Sequence, residues 1–466
     1  MGVKERQEQW IRANQSEYES GYGQLSFLSP VAAASALRQR DELLQALQPP
    51  VTFGSGGTKL DTRQLSPGCA ACVAGTWSCL FINGRCNCRC FYCPSDQSEI
   101  GLPATNTITF RHPDDYVAYI DHFGFRGVSF SGGEPLLTLN RTIGFLTAVK
   151  CTFGNRVHTW LYSNGSLVTE DVLQKLRDAG LDEMRFDIGA VNYRLDAPRL
   201  AARYIPCVTV EIPAVPEDEG RLLSLLPQLR DVGVRFLNLH QLRLTPYNFH
   251  HLAARPYTFL HGEKVTVLDS ELTALRLLRH SLEQNIDLPI NYCSFVYKNR
   301  YQRWAARRRN AELVRKPYED LTAAGYLRSL VLTGSAEEIE ACIAGFAAAG
   351  AAAARWQFDA SRQQLSFGAE LLPLLPAGKG IVSVTYSEAV QLSHLTYRHY
   401  YVEVKLSPRQ KIIIEKRQQG APIEIGAAML EEFRRVVTGD GEPGDSLQDQ
   451  PWLPFERLPQ GLQDYY

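Results

Sequence analysis

The sequence has almost no net charge, no long apolar run and no apolar leader. Its 466 residues carry 49 Lys and Arg against 50 Asp and Glu, a formal charge of -1. No global basic field therefore draws the chain to nucleic acid or to an anionic membrane, although a local patch is left open. No run approaches the ~18 consecutive apolar residues of a transmembrane helix. The opening Met1-Gly2-Val3-Lys4-Glu5-Arg6 lacks the apolar core of a secretory signal. A soluble, cytoplasmic protein is expected. A disulfide framework is not expected either: of eleven cysteines, seven fall between residues 69 and 93, and such clustering in an intracellular chain reads as metal binding.

The densest part of that cluster is Cys86-Asn87-Cys88-Arg89-Cys90-Phe91-Tyr92-Cys93-Pro94, which follows the strand-like run Cys79-Leu80-Phe81-Ile82-Asn83. Cys86, Cys90 and Cys93 have the spacing Cys-x3-Cys-x2-Cys. Three soft thiolates on one loop can hold three irons of a [4Fe–4S] cube and leave the fourth open for a small molecule. An open position separates a catalytic metal site from a closed structural one. Cys88 is a surplus thiol two residues from both Cys86 and Cys90, so register alone does not exclude an alternative ligand set. Downstream, Ser131-Gly132-Gly133-Glu134-Pro135 follows the strand-like Gly127-Val128-Ser129-Phe130. Glycines suit a turn where backbone must approach a ligand closely.

In these two motifs and their order the sequence resembles the radical S-adenosylmethionine (radical SAM) superfamily. The resemblance implies a [4Fe–4S] cluster on Cys86, Cys90 and Cys93 whose open iron binds S-adenosylmethionine. An electron, delivered by a reducing partner such as a flavodoxin or ferredoxin, cleaves the cofactor to a 5′-deoxyadenosyl radical. Gly132, Gly133, Glu134 and Pro135 would meet the methionine end, Tyr92 would pack near the adenine, and Ser163 and Asn164 would contact the ribose. Ordinary loop packing for Tyr92 and a plain turn at Asn164-Gly165 are the alternatives. The opening Gly68-Cys69-x2-Cys72, the late Cys293 and the basic block after it most closely resemble radical SAM proteins related to the pyruvate formate-lyase activating enzyme, over residues 60–315. No cobalamin-binding signature is present.

The length suggests about three domains, although a barrel of ~200–250 residues can form one. Residues 1–66 read as a helical and linker region, with a helix opening at Pro30 and a turn at Gly54-Ser55-Gly56-Gly57. Between residues 67 and 315, β-rich runs at 79–83, 127–130, 157–162, 184–188, 207–212 and 235–240 alternate with amphipathic helices. Thr169 caps one helix, and Leu173 and Leu176 lie on its inner face; Pro113 opens another, which Gly124 closes. The alternation implies an α/β fold, a partial (β/α)6 TIM-like barrel with its site at the C-terminal ends of the strands. Asp187, Glu211, Asn238, His240 and Arg243 then stand at or near strand ends. Glu211, in Val208-Thr209-Val210-Glu211-Ile212, must face the cavity, as a cofactor-binding candidate, or find a structural partner.

Cys69, Cys72 and Cys79 could be completed by the distant Cys293 as a closed, auxiliary [4Fe–4S] site; zinc at Cys69 and Cys72, or a buried free Cys293, are the alternatives. One geometric objection stands against the four-cysteine set. Cys79 opens the first strand, whereas Cys293 would end a parallel one, and at ~3.3 Å per residue five residues separate those levels by ~17 Å. Residues 288–292 are therefore expected to run antiparallel or to lie outside the barrel. Cys151, Cys207 and Cys342 read as core residues. Lys298 to Arg309 holds six positive charges with Tyr301 and Trp304 and no acid, a solvated helix or a nucleic-acid surface. Residues 325–440 read as a smaller α+β domain, a cap or substrate-binding module without a catalytic constellation, and 441–466 as a surface tail. A substrate over the barrel mouth is implied, its identity open among a glycyl radical enzyme, a peptide or metabolite, and RNA; the rival reading is a non-enzymatic, metal-stabilised binding or electron-transfer protein.

Overall fold

The computed structural model describes residues 3–376, 380–439 and 450–466. The chain divides into two compact units: residues 7–302, 406–409 and 460–466 form one, and residues 303–405 and 410–459, with the N-terminal residues up to Arg6, form the other. Among the described residues no helix is long and apolar enough to cross a membrane.

The first unit is built on seven strands that lie side by side in sequence order: β1 Trp77–Asn83, β2 Gly127–Gly132, β3 His158–Ser163, β4 Glu183–Phe186, β5 Cys207–Pro213, β6 Phe236–His240 and β7 Ile290–Cys293. Each pairs with its neighbour in parallel. The six expected strands are all present, and β7 extends their arc. The arc stays open: beyond β7 lies the antiparallel strand Lys59–Asp61, and beyond β1 the short antiparallel Ala104–Thr105. Crossover helices follow the sequence signals. Thr169 Oγ1 accepts from Val172 N at the start of Glu170–Asp178, and Gly124 closes Pro113–Phe123 with a left-handed φ of 64°.

Alternation along these strands divides their side chains between two environments. Leu80, Phe130, Leu161, Phe186, Val210 and Leu239 point outward beneath the helices and are fully buried. The opposite parity, including Trp77, Tyr162, Arg185, Glu211, His240 and Cys293, lines the interior. An interior so rich in charge and sulfur departs from the branched apolar packing usual inside barrels, and that departure marks the site.

Three expectations change. β7 runs parallel to β6, with His240 opposite Cys293, and is an integral barrel strand. The ~17 Å argument took Cys79 to open its strand, but β1 begins at Trp77 and Cys79 is its third residue, and strands tilted by ~36° to the barrel axis do not keep one height per ladder position. Cys207 and Cys342 are buried, but Cys151 is exposed, because the buried face of helix Leu139–Phe153 runs through Phe145, Leu146, Val149 and Phe153. The C-terminal tail is packed where it is described, its residues 441–449 lying outside the described residues. Trp452 enters the core of the second unit, and Tyr465 is buried in the first, its hydroxyl bonded to Glu271.

The second unit is an eight-stranded antiparallel sheet centred on Leu327–Thr333 and Ile381–Leu392, with helices Ala336–Ala348 and Ala427–Thr438. Ser335 and Glu338 form a capping box at the first of these helices. Within this unit Glu456 accepts from Arg328 and from Tyr386, each at 2.6 Å, fixing the segment after Trp452.

Candidate functional site

At the C-terminal ends of the strands is a pocket of about 280 Å³. Its walls bring together most of the predicted residues: Cys86, Cys90 and Cys93 with Cys88, Gly132 and Gly133, and Tyr92, Ser163, Asn164 and Glu211. All four loop cysteines are free thiols, partly exposed.

The glycine turn holds the cysteine loop in place. Gly133 N donates to Asn83 O and Glu134 N to Arg85 O, both at 2.8 Å, on the segment that leads into Cys86. Gly132 has φ 121°, and a Cβ on Gly133 would collide with the carbonyl oxygens of Arg85 and Gly84. Only glycine allows that approach. Gly133→Ala is therefore expected to displace the loop at a cost of roughly 1–3 kcal/mol, read as a lowered unfolding midpoint together with reduced iron uptake; unchanged iron binding would show that the contact does not set the loop.

Glu134 and Pro135 do not line the pocket. The Glu134 side chain is fully buried and turns toward β3, accepting from Asn164 N at 2.8 Å, Leu136 N at 3.1 Å and Ser163 Oγ at 3.1 and 3.2 Å. Burial raises its carboxyl above the ordinary value, against the pull of those donors. In this arrangement Glu134 ties the glycine turn to the end of β3. Asn164 in turn reaches the loop, its Nδ2 donating to Asn87 Oδ1 at 2.9 Å and lying 3.6 Å from Cys86 Sγ. Around the thiols, Cys88 N lies 3.4 Å from Cys86 Sγ, and Gln97 Nε2 lies 2.9 Å from Cys93 Sγ.

Tyr92 is anchored rather than free: its hydroxyl donates to both Asp187 carboxylate oxygens, at 2.9 and 3.1 Å. Burial lifts the Asp187 carboxyl to about 6. Glu211 finds a structural partner and a cavity at once. It accepts from Arg185 Nη1 at 2.7 Å and Asn238 Nδ2 at 3.0 Å, and lies 2.6 Å from His240 Nε2. Burial would raise its carboxyl, but the Arg185 guanidinium, followed by His240, holds it well below the ordinary value. Arg185 also donates to Glu183 Oε1 at 2.8 Å and to Ser66 Oγ at 3.1 Å. Sequence reasoning gave no role to Arg185 or Glu183, although two opposite charges at i and i+2 on a strand otherwise apolar were a signal.

Below the pocket a second cavity of about 120 Å³ shares Tyr162, Glu211, His240 and Lys298 with it and is lined also by Cys69, Cys72 and Cys293. Cys69 and Cys72 are carried by helix Pro67–Val73, whose N-cap Ser66 accepts from Cys69 N at 3.3 Å. Lys59, from a stretch given no chemistry by its sequence, is buried with Nζ 2.6 Å from Cys293 Sγ. The basic block is less of a surface than its sequence implied. Lys298 lines both cavities, Arg307 donates to Ala324 O at 2.9 Å, and only Arg303 and Arg308 of its arginines are exposed.

A family model described as the radical SAM superfamily matches residues 80–222. A protein of Methanocaldococcus jannaschii named as a candidate glycyl-radical enzyme activating enzyme is 31% identical over 290 residues, which cover 59% of this chain and 76% of that protein. A GTP 3′,8-cyclase of Corynebacterium glutamicum is 31% identical over 118 residues, covering 24% of this chain and only 30% of the cyclase. Among solved structures, SuiB from Streptococcus suis bound to S-adenosylmethionine aligns with TM-score 0.35 and 12% identity, over 47% of this chain and 50% of its own. The radical S-adenosylmethionine methyltransferase TsrM from Kitasatospora setae, with cobalamin and a [4Fe–4S] cluster bound, aligns with TM-score 0.30 and 15% identity, over 40% and 42%. This chain thus spans half or less of those solved chains.

Proposed function

The chain belongs to the radical SAM superfamily, and from that premise we propose that it cleaves S-adenosylmethionine reductively to start a hydrogen abstraction within the barrel pocket. The observation that carries this reading is the convergence of Cys86, Cys90 and Cys93, free and on one loop, with Gly132 and Gly133 around a single pocket of about 280 Å³. The donor set fits the group: three soft thiolates beside open space can take three irons of a [4Fe–4S] cluster. When bound, cluster and cofactor together supply a 5′-deoxyadenosyl radical.

The chain's own residues supply placement. Gly132 and Gly133 hold the cysteine loop through Asn83 and Arg85, and Glu134 fixes the end of β3, where Ser163 and Asn164 face the pocket. Tyr92, held by Asp187, and the walls Tyr162, Leu242 and Phe295 give the pocket apolar faces that keep water from a reactive carbon radical. The cation Arg243 and the carboxylates of Asp187 and Glu211 also line it and offer polar contacts to a substrate.

The test is anaerobic reconstitution with iron and sulfide, reduction, and chromatographic assay for 5′-deoxyadenosine with added S-adenosylmethionine. Formation of the nucleoside above a protein-free control is expected, with dithionite or a flavodoxin as electron source. Iron uptake with no nucleoside under either reductant would favour a non-enzymatic iron–sulfur protein. Of the finer readings, activation of a glycyl radical enzyme has a specific support in the likeness to the Methanocaldococcus jannaschii protein. It predicts a glycyl-radical doublet in the electron paramagnetic resonance (EPR) spectrum of a co-incubated glycyl radical enzyme, and no doublet with any such partner would sink it.

A further inference from the structure

Four cysteines outside the 86–93 loop face the interior of the barrel, and we propose that Cys69, Cys72, Cys79 and Cys293 hold a second [4Fe–4S] cluster. All four irons of that cluster would be ligated by protein. The proposal goes beyond the reading above and does not depend on it. Cys69, Cys72 and Cys293 line the deeper cavity, and Cys79 lies on β1 with the same parity as Trp77, which also lines it. Asn291 Nδ2 spans two of the thiols, 3.3 Å from Cys293 Sγ and 4.0 Å from Cys69 Sγ. Cys72 Sγ is 3.2 Å from the Tyr297 hydroxyl and 3.1 Å from Gln302 Nε2.

The size and spacing of this space separate a cluster from a single ion. A cavity of about 120 Å³ is several times the ~30 Å³ share of one water molecule. Among the described residues no three His, Cys, Asp or Glu side chains converge on one ion position. Tetrahedral zinc draws its sulfurs to ~2.3 Å from one point, whereas a cube keeps its four thiolates apart, each on its own iron. Four protein ligands leave no position for a small molecule, in contrast to the three on the upper loop.

Charge points the same way. Lys59 is buried, its ammonium bonded to Cys293 Sγ at 2.6 Å and 4.8 Å from the centre of the Tyr297 ring. Among the described residues it has no carboxylate in salt-bridge contact. A buried cation is expensive unless negative charge lies against it, and a thiolate-ligated iron–sulfur cluster, which carries net negative charge, would place that charge at Cys293. The strand Lys59–Asp61 pairs with β7 so that Lys59 lies opposite Cys293.

The test reads iron, sulfide and EPR spectra in protein reconstituted without oxygen. The Cys86→Ala/Cys90→Ala/Cys93→Ala variant is expected to keep about four irons and four sulfides per chain, with a reduced-state signal that S-adenosylmethionine leaves unchanged. Adding Cys69→Ser or Cys293→Ser to it is expected to remove that iron. Wild type provides a check without mutation: two reduced signals, one of them insensitive to S-adenosylmethionine. Lys59→Gln, which keeps all four ligands, is expected to lower the reduction potential of the insensitive signal only. A triple variant that folds by circular dichroism but binds no iron, or binds one zinc, would overturn the proposal, as would a wild type whose whole signal responds to S-adenosylmethionine. Failure of the cleavage reading is distinct: it would leave the insensitive signal in place and nucleoside absent.

Discussion

Alanine at Cys86, Cys90 and Cys93 together should bring 5′-deoxyadenosine formation down to the protein-free control, whereas Cys88→Ala should retain it. The two outcomes follow from one loop. Cys88 N, not its side chain, lies 3.4 Å from Cys86 Sγ, and alanine keeps that amide. The three spaced thiols have no substitute, since a carboxylate or hydroxyl is a poor ligand for iron–sulfur chemistry. Between these extremes lies Asn164→Ala. Its amide lies 3.6 Å from Cys86 Sγ and donates to Asn87 at 2.9 Å, so on the proposed assignment it would orient a ligand without being one. Loss of such outer partners costs ~10–100-fold in metal affinity or activity, and a fall of that size in nucleoside formation is expected. If Cys88→Ala lost activity as fully as the triple variant, the Cys-x3-Cys-x2-Cys assignment would be wrong and Cys88 would be a ligand.

What was legible in the sequence was what lies close together along it. Cys86, Cys90 and Cys93 sit on one loop, so their spacing alone pointed to one pocket wall, which they share with Cys88. The alternating strands and helices were equally plain, because each crossover is a local unit closed by its own cap, as at Thr169 and Gly124. Contacts across the ladder were not legible. Lys59 stands 234 residues from Cys293, behind a glycine turn that reads as a linker, and only the antiparallel edge strand brings the two together. Glu134 shows a subtler limit. The motif marks it as important, but whether its side chain faces a ligand or turns to the neighbouring strand end depends on the glycine turn and on β3 together, which no periodicity encodes.

The other large effect belongs to Arg185. Its guanidinium donates to Glu183 at 2.8 Å and Glu211 at 2.7 Å, and lies 4.8 Å from the centre of the Trp160 ring, wholly inside the barrel. Such a pair need not stabilise the fold relative to apolar residues, but removing one side of it leaves buried carboxylates without their cation, at ~3–5 kcal/mol. Arg185→Met, which keeps the bulk and removes the charge, is therefore expected to lose that much at pH 7. The change is readable in urea through the fluorescence of the adjacent buried Trp160.

The pH dependence separates charge from packing. Burial alone would raise the Glu183 carboxyl, but Arg185, helped by His158, holds it at about 2 against an ordinary 4.5. A depressed acid contributes stability above its unfolded value and loses it as pH falls through its folded value, here between about 4.5 and about 2 and on the order of 3 kcal/mol. Wild type should thus weaken steeply across that window. In Arg185→Met the main cause of the depression is gone, so the deficit against wild type should shrink as pH drops toward 2, where Glu183 loses its charge in both proteins. A deficit constant from pH 7 to pH 3 would assign the loss to the Trp160 and Tyr162 packing of Arg185 rather than to its charge.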